Sequence, residues 1–246
     1  CKWDMALDGL QLGILFNQGQ VCCAGSRVFV QEGIYDKFVE AAIKAFNGVK
    51  VGNPLDPNTQ MGAQVDQNQM RKILSYVELA KEEGATVACG GVAHMEGACA
   101  KGCFMKPTLI VGATNDMRIA QEEIFGPILP IIPYDGLDQA IHFVNRGEKP
   151  LALYLFTRSE KTKARVLNHC SFGGGCVNDT IIHLATHHMG FGGVGYSGMG
   201  SYHGRKSFDT FSHYRAIVDK ATWIDLPMRY QPYTKVNDKL IRMFLR

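Results

Sequence analysis

Three short stretches of the 246-residue chain hold side chains that could do chemistry. The first is Asn17-Gln18-Gly19-Gln20-Val21-Cys22-Cys23-Ala24-Gly25. A cysteine on a loop between a helix and a strand, flanked by glycines, is a candidate nucleophile. Small neighbours let a substrate approach, and nearby backbone N–H groups can stabilise a thiolate and then an oxyanion. A cysteine taken alone is more often a small buried hydrophobe, and the residues by themselves favour that plainer role. The second stretch is Gln121-Glu122-Glu123-Ile124-Phe125-Gly126-Pro127. Two adjacent carboxylates ahead of an aromatic ring and a Gly-Pro turn suit ribose hydroxyls and a planar heterocycle. A solvated acidic turn beside a core phenylalanine fits equally well.

The third stretch, Gly193-Val194-Gly195-Tyr196-Ser197-Gly198, matches G-x-G-x-x-G. A dinucleotide-binding loop needs a strand before it and a helix after it. His187-His188-Met189-Gly190 precedes and Met199-Gly200 follows, so a glycine-rich loop at a substrate entrance is the better reading. His183, His187 and His188 read as ordinary polar loop histidines. Cys99 and Cys103 near His94 match no standard zinc spacing, and no metal site is expected.

The elements that must position these residues follow from periodicity. Trp3, Leu7, Leu10 and Ile14 recur at helical spacing, with the helix ending before Gly19. Arg27–Gln31 reads as a strand. Ile34, Phe38, Ala41 and Ala45 mark a second helix, and Met70, Ile73, Leu74 and Val77 a third, with a loop over Gly52–Gly62 between them. Strands are predicted at Thr86–Ala88, Thr108–Val111, Ile128–Ile132, Leu151–Phe156 and Gly175–Val177, with helices at Asp138–Asn145 and Lys161–Leu167. Apolar strands alternating with amphipathic helices predict an α/β fold, a largely parallel sheet flanked by helices. The stretch Gly190–Gly204 reads as a long loop. The tail ends in a short amphipathic helix carrying Val236, Leu240, Ile241 and Phe244 on one side.

A net charge of +3, without a basic run, argues against a nucleic-acid partner or a charged membrane surface. No apolar stretch approaches a membrane span. The eight cysteines are not needed as staples in a domain of this size and read as thiols of a reducing, cytoplasmic compartment. The chain begins at Cys1, without methionine or leader, and reads as starting mid-sequence.

The segment from Phe16 to Arg27 strongly resembles the active-site segment of the aldehyde dehydrogenase superfamily. Glu122-Glu123-Ile124-Phe125-Gly126-Pro127 resembles its second motif, and Phe191-Gly192-Gly193 followed by Ser197-Gly198 its late glycine-rich motif. The resemblance implies an aldehyde dehydrogenase catalytic domain over residues 1–215, truncated at its amino end, and a tail over 216–246. It implies Cys22 as nucleophile, with Cys23 a neighbour, and Glu123 on the nicotinamide ribose with Phe125 near the nicotinamide. Gln69 and Lys72 align with positions flanking the cofactor in some members, and Phe191 would line the substrate tunnel.

The implied reaction oxidises a small aldehyde to a carboxylic acid with NAD or NADP. Cys22 forms a thiohemiacetal whose oxyanion is held by the Cys22 N–H and a side-chain amide; hydride loss gives a thioester, which a glutamate-activated water releases. The family's glutamate base, its oxyanion asparagine and its dinucleotide motifs would all precede Cys1, so the 246 residues alone are expected to be inactive. A homo-oligomer is expected of the full-length protein.

The stretch from Leu151-Ala152-Leu153-Tyr154 onward resembles the class 3 or fatty-aldehyde branch, while residues before about 120 look like a broad bacterial group. The chain therefore reads as a mosaic with its seam at the Glu-Glu-Ile-Phe-Gly-Pro motif. Two other classes of function compete: a non-catalytic interaction module that keeps the fold, and a cofactor-independent thiol esterase using Cys22.

Overall fold

The computed structural model describes residues 1–245. They divide into two compact units, one from Cys1 to Thr210 and one from Phe211 onward.

The first unit is built on a four-stranded sheet. Its strands are β1 (Val28–Gln31), β2 (Thr86–Cys89), β3 (Thr108–Val111) and β4 (Ile128–Tyr134), in the order β1-β4-β3-β2. β4 runs parallel to both β1 and β3, and β2 joins as an antiparallel edge. The period-two alternation of β4 divides its side chains between two cores. Ile128 and Ile132 meet Met70, Ile73 and Val77 of helix α3 (Gln67–Glu82) on one face. Leu129 and Ile131 meet α1 (Trp3–Leu15) and α2 (Tyr35–Asn47) on the other. A sheet buried on both faces favours apolar residues at successive positions, and this is why 109–111 of β3 and 128–132 of β4 read as continuous apolar runs, while the buried Thr108 hydroxyl is hydrogen-bonded.

β4 continues two residues beyond the expected Ile132, with Pro133 and Tyr134 paired to Val30 and Gln31. Proline cannot donate to a ladder, so the strand signal stops before the strand does. Helix α4 is a short turn at Arg118–Gln121 and α5 spans Leu137–Arg146. A separate parallel pair, β5 (Ala152–Leu155) and β6 (Gly174–Val177), flanks α6 (Glu160–His169), whose N-terminus Ser159 caps by accepting from the Thr162 N–H. The stretch expected to be a loop from Gly190 folds back on itself, Phe191 and Tyr202 exchanging backbone hydrogen bonds of 2.9 and 3.0 Å. Helix α7 (Gly204–Thr210) follows, without the apolar periodicity that would announce it.

The second unit carries a 3-10 turn at Pro227–Arg229 and helix α8 (Lys235–Phe244), capped by Thr234. No helix among the described residues is long and apolar enough to cross a membrane.

Candidate active site

The loop carrying Cys22 begins where α1 ends at Leu15. Asn17, Gln18 and Gly19 all take left-handed φ values, of 47°, 57° and 74°. Only glycine does this without cost, and Gly19 has a second constraint. A Cβ there would overlap the Gly126 carbonyl, so the loop docks backbone to backbone on the Glu-Glu-Ile-Phe-Gly-Pro turn. The Gln20 side-chain oxygen accepts from the Val65 N–H at 3.0 Å, and the Gly25 N–H donates to the Gly13 carbonyl at 2.7 Å. Between these anchors Val21–Ala24 closes a tight turn, the Ala24 N–H donating to the Val21 carbonyl at 3.0 Å.

The turn separates the two cysteines. Cys22 is exposed, whereas Cys23 is 1% exposed and packs with Ile181 and Phe191. Burial pushes the Cys23 thiol above its ordinary value, which suppresses its nucleophilic form. Among the described residues no carbonyl accepts from the Cys22 backbone N–H. A turn with a free N–H beside a free thiol can receive an oxyanion formed at that thiol. Cys22 stands on the wall of a cleft of about 990 Å³, which Gly25, Arg27, Glu122, Glu123 and Tyr154 also line.

The two adjacent glutamates have different surroundings. The Glu122 carboxylate accepts from Arg118 at 2.8 and 3.2 Å and from the Tyr76 hydroxyl at 2.5 Å. The Arg118 guanidinium and the Tyr76 phenol hold its pKa down to about 2 from an ordinary 4.5. Among the described residues the Glu123 carboxylate has no such partner, so Glu123 is the one available to a ligand. A depressed carboxyl pKa contributes stability that is complete above the unfolded value and is lost as pH falls through the folded one. The Arg118–Glu122–Tyr76 link is therefore expected to weaken from about pH 4.5 down to about 2. Carbon-detected NMR of the Glu122 carboxyl should titrate near 2, and Arg118→Ala should move its midpoint back toward 4.5.

Phe125 is held at φ 63° and is 37% exposed. Gln69 braces this conformation: its Nε2 donates to the Ile124 carbonyl at 3.1 Å and the Phe125 carbonyl at 2.8 Å. Lys72 donates to the Glu123 carbonyl at 3.4 Å. Both side chains thus hold the backbone that displays Glu123 and Phe125. Gly126 lies against the fully buried Ile73, where a Cβ would clash. Phe191 is buried in the cluster behind Cys23, near the His183, Tyr202 and His203 rings, and does not line the cleft.

His183 departs from the polar loop histidine expected. It is 9% exposed, its Nδ1 lies 3.6 Å from the Cys176 sulfur, and burial lowers its pKa. Its neighbours Ile182 and His187 give no sequence signal of that burial. Arg27, read from the sequence only as the end of the motif and the start of a strand, stands on the cleft wall; it donates to the Asn115 side-chain oxygen at 3.2 Å and supplies the site with a cation. Among the described residues no group of three His, Cys, Asp or Glu side chains could hold a metal ion. Gly193–Gly198 contains a 3-10 turn, Gly195–Ser197; no strand leads directly into it, and α7 begins only at Gly204, so it does not join a strand to a helix.

The fold and the loop are those of an α/β domain that presents one cysteine on a braced turn beside an acidic motif. The aldehyde dehydrogenase family profile matches residues 1–217, and the chain belongs to that family. It is 37% identical over 242 residues to the 4,4'-diaponeurosporen-aldehyde dehydrogenase of Staphylococcus aureus, covering 98% of this chain and 50% of the relative. It is 35% identical over 234 residues to the dimeric NADP-preferring aldehyde dehydrogenase of Canis lupus familiaris, covering 94% and 49%. A solved structure of the substrate-bound state of Staphylococcus aureus AldH superposes with a TM-score of 0.85 at 36% identity, covering 100% of this chain and 51% of that one. Other solved relatives are complexes with NAD+. The chain spans about half the length of the curated relatives it matches. The first of these relatives aligns with the chain on both sides of the Glu122–Pro127 motif.

Proposed function

We propose that these residues carry the nucleophile and the nicotinamide-side contacts of an enzyme that oxidises an aldehyde to a carboxylic acid. The observation that carries this reading is the division of labour at the turn: Cys22 open on the cleft with a free N–H, Cys23 sealed behind it. The Cys22 sulfur adds to the aldehyde carbon, the carbonyl π pair moves to oxygen, and the Cys22 N–H donates to the oxyanion. NAD or NADP, when bound, accepts the hydride. What remains on Cys22 is a thioester, which water hydrolyses to the acid.

The residues present suit one end of the cofactor. Glu123 offers a free carboxylate to ribose hydroxyls, and Phe125 offers an exposed ring face. Gln69 and Lys72 act in this reading by fixing the turn that displays them. Phe191 supports the substrate side from behind the Cys22 turn. In this reading the base, the second oxyanion donor and the phosphate contacts are supplied from outside these residues.

The catalytic portion is assigned to residues 1–215 and the tail to 216–246. The first compact unit ending at Thr210 and the family match ending at 217 support this. A homo-oligomer in the cytoplasm is part of the same reading. Met5, Leu12 and Phe16 form an exposed apolar stripe on and just beyond α1 that a second copy could cover. The eight free thiols suit a reducing compartment.

The 246-residue chain is expected to release a stoichiometric burst of nitrophenolate from p-nitrophenyl acetate, blocked by iodoacetamide, and to make no NADH from aldehyde and NAD+. Sustained ester turnover would favour a thiol esterase. Absence of any burst would leave an interaction module. Removing one oxyanion donor alone costs about 10²–10³ in turnover, so robust NADH production would overturn the assignment of the missing groups.

A further inference from the structure

The turn that presents Cys22 is held from behind by a phenol. Tyr154, on β5, lines the same cleft and donates from its Oη to the Cys23 carbonyl at 2.7 Å. Its ring belongs to the apolar cluster of Cys23, Ile181 and Phe191. A phenylalanine would fill that volume equally, so the hydroxyl has a purpose other than packing. Burial raises the phenol's pKa, keeping it a donor through the physiological range.

The hydrogen bonds of the turn are in series. The Cys23 carbonyl shares a peptide plane with the Ala24 N–H, which donates to the Val21 carbonyl at 3.0 Å. The Val21 carbonyl shares a plane with the Cys22 N–H. Each accepted bond polarises the next donor, strengthening it by roughly 10–30%.

We propose that Tyr154 is a positioning residue that fixes and polarises the Cys22 backbone N–H, through the Cys23–Ala24 and Val21–Cys22 peptides, for the oxyanion formed when Cys22 attacks a carbonyl. The inference rests on the reading of Cys22 as nucleophile. It gives a residue of β5, remote in sequence from the active loop, a part in stabilising charge at the reacting carbon.

Two reactions of one thiol separate this role from packing. Acylation of Cys22 by p-nitrophenyl acetate forms the S–C bond and places the carbonyl pair on oxygen. That pair then returns to expel nitrophenolate. Alkylation by iodoacetamide forms an S–C bond and expels iodide, with no oxyanion. In Tyr154→Phe, acylation is expected to fall about three- to fivefold relative to alkylation, with alkylation unchanged within about twofold.

Tyr35→Phe removes a comparable phenol-to-carbonyl bond, from Tyr35 Oη to the Ile131 carbonyl at 3.0 Å, and should leave the ratio unaltered. A ring-fluorinated tyrosine at 154 keeps the shape, donates more strongly and should raise the ratio. It also serves if Tyr154→Phe unfolds. Equal losses in both reactions, or a ratio unmoved by either change at 154, would overturn the relay while leaving Cys22 as nucleophile. A wild-type chain that iodoacetamide labels at Cys22 but the ester does not acylate would overturn both.

Discussion

Cys22→Ala is expected to abolish covalent acylation by p-nitrophenyl acetate, a loss of at least about 10³-fold, while Cys23→Ala is expected to leave it within a few-fold of wild type. The two residues are neighbours of identical chemistry, so the contrast must come from placement. Cys22 is exposed on the cleft, and Cys23 is sealed among Ile181 and Phe191 with its thiol pKa pushed up by burial. Removing the buried sulfur leaves a void behind the turn and costs about 1 kcal/mol, which appears as lower Tm and not as lost labelling. Tandem mass spectrometry of the tryptic peptide Trp3–Arg27, which contains both cysteines, locates the adduct. An acetyl group found on Cys23 in the wild-type protein would place the nucleophile at the wrong residue.

Gly19→Ala is the second large effect, and it acts without touching a reactive atom. Position 19 has φ 74°, and its missing Cβ is occupied by the Gly126 carbonyl. Left-handed backbone costs an L-residue about 1–2 kcal/mol, and overlap with a fixed carbonyl adds about 1–3 kcal/mol. The sum lowers Tm by roughly 10 °C for a chain of this size. Relief of the overlap pushes the loop away from the Glu122–Pro127 turn, and a displacement near 1 Å can cost about 10²-fold in rate. Acylation of Cys22 is therefore expected to fall by more than about tenfold in the fraction that stays folded. Gly33→Ala is the control: nothing lies within 4 Å of a Cβ there and its φ is not left-handed, so both measurements should stay near wild type. A Gly19→Ala protein with unchanged Tm and acylation would mean that the loop does not dock on the second motif.

The elements were legible in the sequence where one physical signal governed them. Strands β3 and β4 are buried on both faces, so uninterrupted apolar runs announced them. Helices α2 and α3 each bury one stripe, and the 3.6-residue period gave their existence, if not their last turn. α7 and the fold-back of Phe191 on Tyr202 escaped because glycine packing, not apolar periodicity, shapes that region. His183 escaped because burial of one histidine depends on what folds over it.

The same division holds at the site. Residue types and motif order pointed by resemblance to Cys22, Glu123 and Phe125, since the thiol, the carboxylate and the ring are properties of side chains. Which of two cysteines is open, which of two glutamates is tied up by Arg118 and Tyr76, and that Gln69 braces the Phe125 turn were decided only in three dimensions. Apart from the local Arg118–Glu122 pair, four residues apart, those choices depend on contacts between residues 46 to 131 positions apart. Only packing of the finished fold brings such residues together, and no local pattern encodes it.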